Sequence, residues 1–367
     1  MDLPTSTPPP AVPLWVELAR LLRPGVDRGD PAWGWLRRVL SGRPPHPGVV
    51  VDWDAVALAS RHAEVAVLAA EAHPELARRL DVAVRRQTLV DMNLELALDR
   101  VVRALSRAGV TRVALLKGAA TAHTLYDRPL QRFRRDIDLL VAPEALPDVV
   151  VALLADGWRE DVSVPDRARG MGAARAWPLV LDLPIGEIGC DLHQRIFDGG
   201  YAAVDPAGVL SRARPGLAPL PVPSSEDTLL VTAAHIAKGG FGEPLKAWVD
   251  LWRAATHTDL DVAATLARAR EWGVRAATWG ALGVVRRWFG AKLPPALLTG
   301  LAPPLWQRRT LQWLLAGEGA HPVRQDLSRH AASAILGPLA LDDRAALGAW
   351  VRQRLVRRLP VAVGGER

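Results

Sequence analysis

The sequence predicts an α+β fold in which a small mixed β-sheet lies between an N-terminal and a C-terminal helical region. Apolar residues recur at helical spacing over 83–108, and Gly109 is a typical helix-ending residue. Short apolar runs bounded by turn residues, typical of strands, follow it, and helical spacing returns from Ser224. We therefore divide the chain into a proline-rich tail, a helical region, an α/β core, a second helical region and a loose tail, at 1–13, 14–109, 110–222, 223–358 and 359–367.

The region that precedes the sheet contains two clear helix patterns. Asp54 is a suitable N-cap for a helix over 55–70, and a second helix is expected over 83–108. The prolines of 1–13 predict a disordered tail, and no basic segment followed by an apolar core marks a signal peptide there. No apolar run is long enough to span a membrane, so we expect a cytoplasmic protein without membrane contact.

The α/β core is predicted from four apolar runs and the turns between them. The Lys117-Gly118 pair turns a buried strand into a short helix, and Pro143 ends the next strand. A turn at 184–186 joins two further strands into a hairpin. The strands are expected at 111–116, 136–141, 177–182 and 188–196, and the helices at 119–126 and 145–155.

The second helical region begins at a capping motif. Ser224 and Asp227 form a variant capping box, Gly239 and Gly240 end that helix, and Pro244 suits the start of the next one. Further helices are expected over 261–271, 274–289, 304–316 and, as a basic helix, 340–358.

The composition excludes some classes of site. The single cysteine, Cys190, excludes a disulfide framework and a cysteine-based zinc site, and we expect it as a small buried strand residue. The net charge of +7 is modest for 367 residues, and no basic tract carries interleaved aromatics, so a solvated basic surface is favoured over a nucleic-acid surface. Arginine is the default cation, and the four lysines therefore indicate sites that need a compact ammonium, at 117, 238, 246 and 292.

Two aspartates of the strand 136–141 are the centre of the functional argument. Residues two apart in a strand point to the same face, so Asp136 and Asp138 present their carboxylates side by side, while Ile137 and Leu139 face the core. Two like charges at this spacing repel each other, and a divalent cation between them removes that repulsion. Because Mg²⁺ prefers carboxylate oxygens, the pair predicts a metal site. The alternative is two ordinary polar residues at a strand end.

A strand-to-helix turn precedes this pair and predicts an anion site. Backbone amides around Gly118, at a helix N-terminus, suit a phosphate, and Lys117 adds positive charge. Arg132 lies just before the carboxylate strand and is a further candidate phosphate contact. An ordinary turn, with an arginine that balances the aspartates, explains the same residues without a ligand.

A third carboxylate is expected from a neighbouring strand. Asp191 lies inside a predicted strand, where an unpartnered carboxylate is costly, and His193 shares its face. Asp182 is the rival, but it adjoins the hairpin turn, where an exposed aspartate needs no partner. We expect Asp191 to lie close enough to Asp136 and Asp138 to share a metal; Asp182 takes the role if Asp191 points to the other face. His193 is either a structural histidine or a contact to metal or phosphate.

Taken in order, these residues resemble the uncharacterised nucleotidyltransferase family of the polymerase-β-like superfamily. The resemblance implies a short mixed sheet with an NTP in a cleft and helices around it. It implies Asp136 and Asp138 as metal ligands, and Asp191 as a third carboxylate that binds metal or activates the acceptor hydroxyl. The likeness covers about 50–300 and is carried by Asp52-Trp53 with 57–62, Leu116-Lys117-Gly118, Tyr126, Arg132 to Val141, Asp191-Leu192-His193, His235 to Lys238, Lys246 to Asp250 and Leu293-Pro294.

The same resemblance implies further contacts to the nucleotide. Gly118 stands where the superfamily's Gly-Ser turn begins its helix, but Ala119 replaces the serine, so Lys117 is expected to substitute by charge for the missing hydroxyl. Lys246 and Asp250 are four residues apart on a helix, and a surface ion pair explains them equally well. The candidates for the nucleotide cleft are Lys117, Gly118, Arg132, His193, His235, Lys238, Lys246 and Asp250.

The predicted function is metal-dependent transfer of a nucleotide from an NTP, ATP by default, to an acceptor hydroxyl with release of pyrophosphate. The expected cofactor is Mg²⁺ or Mn²⁺. The acceptor stays open among a protein, a peptide, an RNA and a small molecule. The alternatives are a catalytically inactive nucleotide-binding module and a nucleic-acid-associated regulator that uses the basic surface.

Overall fold

A computed structural model describes residues 31–43, 51–161, 176–197, 201–315 and 340–342. The expected tails at 1–13 and 359–367 lie outside the described residues, as does the expected basic helix beyond residue 342. The architecture is α+β, as predicted, with one mixed sheet and helices from both ends of the chain around it. The α-helices are α1 (Pro31–Leu40), α2 (Trp53–His62), α3 (Ala66–Ala72), α4 (Pro74–Arg107), α5 (Lys117–Thr124), α6 (Leu146–Ala155), α7 (Pro206–Ser211), α8 (Ser225–Lys238), α9 (Leu245–Ala255), α10 (Val262–Glu271), α11 (Arg275–Phe289), α12 (Pro295–Leu301) and α13 (Leu305–Leu314).

The N-terminal helices differ from the prediction at their ends. The expected helix over 55–70 is two helices, α2 and α3, because Glu64 takes a left-handed conformation with φ of 58° between them. Asp52 caps α2 rather than Asp54; its carboxylate accepts hydrogen bonds from the backbone amides of Asp54 and Ala55 at 3.0 and 2.9 Å. Helix α4 begins at Pro74, earlier than expected, where a proline suits the first helical turn.

Within the described residues, the sheet has five strands in the order β1-β2-β5-β4-β3. β2 and β5 pair in parallel, and the other neighbours are antiparallel. The prediction missed the two-residue strand β3. It began β1 too early and ended β5 too late, and it began the helix after β1 two residues late. The strands are β1 (Val113–Leu116), β2 (Asp136–Val141), β3 (Arg159–Glu160), β4 (Trp177–Leu183) and β5 (Gly186–His193).

The two faces of the sheet pack against different parts of the chain. Ile137 and Leu139 of β2 are buried as predicted, together with Cys190 of β5, in a core shared with α4 and α6. Leu140, on the opposite face of β2, belongs to the larger core formed with the N-terminal and C-terminal helices. Since Asp138 alternates with Ile137 and Leu139, it lies on this second face, toward the C-terminal helices.

The C-terminal helices follow the predicted order with small differences. The Ser224 hydroxyl accepts a hydrogen bond from the Asp227 amide at 3.2 Å and caps α8. Pro244 is the N-cap of α9 rather than its first residue, and helix α12 was not predicted. In the part of the chain that the structure describes, none of the helices combines the length and apolar composition that a membrane crossing needs.

Candidate functional site

Strands β2 and β5 bring three aspartates together. Asp138 lies directly opposite Asp191 in the parallel register, and Asp136 precedes Asp138 by two residues on the same face. Asp138 is buried, Asp191 is half-buried and Asp136 is exposed at the start of β2. Asp182, the rival for the third position, is instead exposed near the hairpin turn and accepts hydrogen bonds from Arg159 at 3.3 and 3.4 Å.

A lysine and a histidine converge on the most buried of these carboxylates. Lys117 Nζ donates to Asp138 Oδ1 at 2.5 Å, and His193 Nε2 lies 2.5 Å from the same oxygen and 3.2 Å from Lys117 Nζ. Burial would raise the pKa of Asp138, but its contacts with His193 and Lys117 lower it below the usual value. Asp138 is therefore held as a carboxylate within a compact polar cluster.

The turn that carries Lys117 is strained at the lysine and not at the glycine. Lys117 has φ of 46°, a left-handed conformation that is uncommon for a residue with a side chain. Gly118 does not need its missing side chain there, because an added Cβ would lie 3.5 Å from Arg134 Cβ, an ordinary contact. Backbone strain of this kind clusters at functional sites, and here it places the ammonium against Asp138.

The donor set suits a divalent cation. Asp138, Asp191 and His193 each offer one ligand atom, and these atoms lie within 4.8 Å of one another. Asp136 adds a third carboxylate beside them on β2. Partial loss of hydration, and then the charge of Asp138, raise the pKa values of half-buried Asp191 and of Asp136, whose carboxylate is partly shielded although the residue as a whole is exposed. The three carboxylates repel one another, and a bound cation such as Mg²⁺ or Mn²⁺ would offset this repulsion.

A second polar network is closed and buried. Arg132 Nε donates to both oxygens of Asp250 at 2.8 Å, and the Tyr126 hydroxyl donates to Asp250 Oδ1 at 2.6 Å. Asp250 is 3% exposed and Arg132 is 8% exposed, so this pair joins the segment before β2 to α9 inside the protein. Burial raises the pKa of Tyr126 well above its usual range, which keeps the hydroxyl protonated as a donor.

The alternative explanation of Lys246 and Asp250, a surface ion pair between them, is therefore wrong. Asp250 is committed to Arg132, and the Lys246 ammonium is paired with Glu64 instead. The two side chains leave α9 toward different partners, because the segment before β2 offers a guanidinium to one of them and the end of α2 offers a carboxylate to the other.

A cleft of about 320 Å³ lies between the second face of the sheet and the C-terminal helices. Asp191 and His193 do not line it directly; they adjoin Asp138 on β5. Lys238 does not line the cleft either. Its ammonium lies 5.7 Å from the ring centre of Phe197, and Phe197 is a lining residue. The sequence-predicted residues that line the cleft are Lys117, Gly118, Arg132, Asp136, Asp138, His235, Lys246 and Asp250.

Among the residues that sequence reasoning missed, Glu64 and Phe133 contact the cations at the edge of the cleft. Glu64 lines the cleft and pairs with both Lys246 and Arg135, the latter at 2.7 Å. Phe133 lies between the same two cations, with its ring centre 5.2 Å from Lys246 Nζ and 5.1 Å from Arg135 Cζ. Glu64 follows a helix end and carries no periodic signal. For Phe133, the available signal was its position three residues before Asp136 in the sequence.

The mixed sheet surrounded by helices is the fold that the resemblance to nucleotidyltransferases implied, and it brings the three predicted aspartates to neighbouring strands. The family model described as uncharacterised nucleotidyltransferase matches residues 51–290, which is more than half of the chain and includes every candidate site residue. The chain belongs to this family. No curated protein and no solved structure is similar enough to the chain to count as a match.

Proposed function

We propose that this protein transfers a nucleoside monophosphate from an NTP to an acceptor hydroxyl, with release of pyrophosphate and with the help of Mg²⁺ or Mn²⁺. Family membership supports the class of reaction. The observation that carries the proposal is the register of β2 and β5, which sets Asp138 opposite Asp191 with Asp136 on the same face. ATP is the default donor.

Asp136, Asp138 and Asp191 are the residues that would hold the cation. When bound there, a divalent ion supplies positive charge that offsets the charge of the phosphates and of the departing pyrophosphate. His193, which lies 2.5 Å from Asp138 Oδ1, orients that carboxylate or contributes its own nitrogen. This donor set lies beside the cleft, so a nucleotide in the cleft would present its phosphates to it.

The charged side chains of the cleft fit the donor nucleotide. Lys117 is 37% exposed at its side chain and its ammonium lies 2.5 Å from Asp138, so it would contact phosphate oxygens beside the aspartates. His235 and Lys246 also line the cleft, and Lys238 lies over the ring of Phe197, a lining residue. The cleft volume is within the range of small-molecule sites, roughly 300–1,000 Å³.

The bond changes of the proposed transfer balance without an additional reactant. The acceptor hydroxyl oxygen forms a bond to the α-phosphorus, and the bond from that phosphorus to the bridging oxygen breaks, with its electron pair leaving on pyrophosphate. Asp191 is the candidate acceptor of the hydroxyl proton. Arg132 and Asp250 hold the segment before β2 and so position Asp136, rather than contacting the phosphates themselves.

The test is the fate of the NTP label in a lysate that contains the full chain and Mg²⁺. An α-labelled NTP should leave its label on an acceptor and a γ-labelled NTP should not, and Asp138→Asn should abolish the labelling. Transfer of the γ-label would assign the chain to a kinase reaction and contradict the proposal. Binding of NTP without transfer of either label would favour the catalytically inactive nucleotide-binding module.

A further inference from the structure

A second groove, of about 650 Å³, adjoins the cleft on the side of the N-terminal helices. Glu64 and Arg135 line both spaces, so the groove and the cleft meet at this ion pair. The end of α2, one face of α4 and the segment that leads into β2 form its walls. Because Arg135 also lines the cleft together with Asp136 and Asp138, a molecule at this end of the groove would lie next to the candidate metal site.

Two arginines of this groove have charge to offer a ligand. Arg61 and Arg86 line it and are exposed, and among the described residues neither guanidinium has a hydrogen-bond or ion-pair partner. Other arginines of this region are committed: Arg79 pairs with Asp54, and Arg134 pairs with Asp91 at 2.6 Å. Free guanidinium groups on a concave surface attract an anion and bind phosphate or carboxylate oxygens in pairs.

The junction between the groove and the cleft is held by ion pairs of Glu64, whose backbone conformation is strained. Glu64 holds Arg135 and Lys246 on either side of Phe133, and it does so from a left-handed backbone conformation with φ of 58°. A residue with a side chain persists in this conformation when its surroundings fix it, which is common at ligand sites. The half-buried Phe133 ring gives the groove an apolar wall beside its cations.

We propose that this groove is the acceptor site of the transfer reaction, and that the acceptor is a small molecule with a phosphate or carboxylate in addition to its reacting hydroxyl. The inference rests on the proposed function and adds the class of acceptor. Arg61 and Arg86 bind the anionic group, Phe133 contacts the apolar part, and the hydroxyl reaches the α-phosphorus beside Asp136. A polynucleotide is disfavoured because it needs a cationic track longer than one groove of small-molecule size.

The experiment measures anion binding to the full chain with its nucleotide cleft filled. The protein is saturated with Mg²⁺ and α,β-methylene ATP, or the GTP analogue, and titrated by calorimetry with glycerol 3-phosphate, malate and glycerol. One of the two anions should bind saturably and glycerol should not; phosphate-selective and carboxylate-selective sites are distinguished by which anion binds. The double variant Arg61→Ala/Arg86→Ala should bind that anion at least about tenfold more weakly and keep its affinity for the nucleotide analogue.

The matched control is Arg78→Ala/Arg85→Ala, which removes the same charge from exposed positions of α4 outside the groove. It should bind the anion like the wild type. Equal weakening in both double variants, or no anion binding by a protein that binds the nucleotide analogue, would overturn the acceptor site and leave the proposed function standing. Tighter binding of a single-stranded RNA through Arg61 and Arg86 would overturn the small-molecule acceptor. If the analogue and Mg²⁺ do not bind, the proposed function and the acceptor site both fall.

Discussion

Two carboxylates of the cleft, Asp138 and Asp250, are almost equally buried but have different surroundings. Asp250 is matched by one guanidinium and one neutral hydroxyl, so its network is balanced and closed. Asp138 lies opposite Asp191 and two residues after Asp136, and Lys117 and His193 contact its carboxylate. The excess of negative charge, rather than burial, separates the candidate metal site from a structural anchor, because only unbalanced charge leaves a role for a cation.

The largest effect is expected when the balanced network is broken. Asp250→Ala leaves the buried Arg132 guanidinium without its partner, and we expect the free energy of unfolding to fall by about 3–5 kcal/mol. Urea denaturation of the full chain measures this change. Asp259→Ala, at an exposed aspartate 3.6 Å from Arg214, is the control and should change stability by less than about 0.5 kcal/mol. Equal stability of the two variants would remove the anchor role of Asp250.

A kinetic effect without loss of the fold is expected in the unbalanced cluster. Asp191→Ala should lower turnover by about a hundredfold or more if Asp191 accepts the hydroxyl proton, while leaving NTP binding largely intact. Asp182→Ala is the control, because Asp182 lies at the hairpin and contacts Arg159 instead. Single-turnover transfer of an α-labelled NTP compares the two variants. Loss of turnover only in Asp182→Ala would reverse the assignment.

A smaller effect is expected at the strained turn. Lys117→Arg keeps the charge but puts a bulkier group where an ammonium lies 2.5 Å from Asp138, so NTP affinity should fall by about tenfold. Lys292→Arg, at an exposed lysine, should leave the affinity unchanged. Fluorescence titration with a labelled NTP gives both affinities. Equal affinities would return Lys117 to an ordinary turn residue.

The smallest effect concerns the other side of the segment before β2, where Arg134 is paired with Glu95. Burial alone would raise the pKa of Glu95, but contacts with His123 and Arg134 lower it from 4.5 to about 2. A carboxylate whose pKa is lower in the folded state stabilises the fold fully at pH values above its unfolded-state pKa. This contribution is lost as the pH falls toward the folded-state pKa. The stability difference between the wild type and Glu95→Gln should therefore shrink as the pH falls from about 4.5 to about 2. A difference that is constant over this window would contradict the pairing.

Strand periodicity was sufficient to predict that Asp136 and Asp138 lie on the same face of the sheet. The apolar neighbours of Asp191 were sufficient to place it inside a strand. The Arg132–Asp250 pair was not predictable in the same way, because its members are 118 residues apart and nothing local joins them. Glu64 was missed because its position depends on a left-handed turn that its residue type does not favour.

The same limits apply to the helices. The first turns of α4 bury Leu76 and Leu80 at helical spacing among exposed residues, a short signal that the prediction did not use. The capping role of Asp52 rather than Asp54 depends on a shift of two residues. The break between α2 and α3 leaves the apolar spacing almost unchanged. Local patterns therefore located the strands that carry the aspartates, while the partners that balance or unbalance their charge came from distant segments.

The most direct test of the account is the binding of Mn²⁺ to the full chain in the presence of α,β-methylene ATP, followed by electron paramagnetic resonance. The wild type should bind the ion, and Asp138→Asn should lose this binding while its urea unfolding curve stays close to that of the wild type. Asp182→Asn, outside the cluster, should bind Mn²⁺ normally. Unchanged Mn²⁺ affinity in Asp138→Asn would contradict the claim that the unbalanced carboxylates form a metal site.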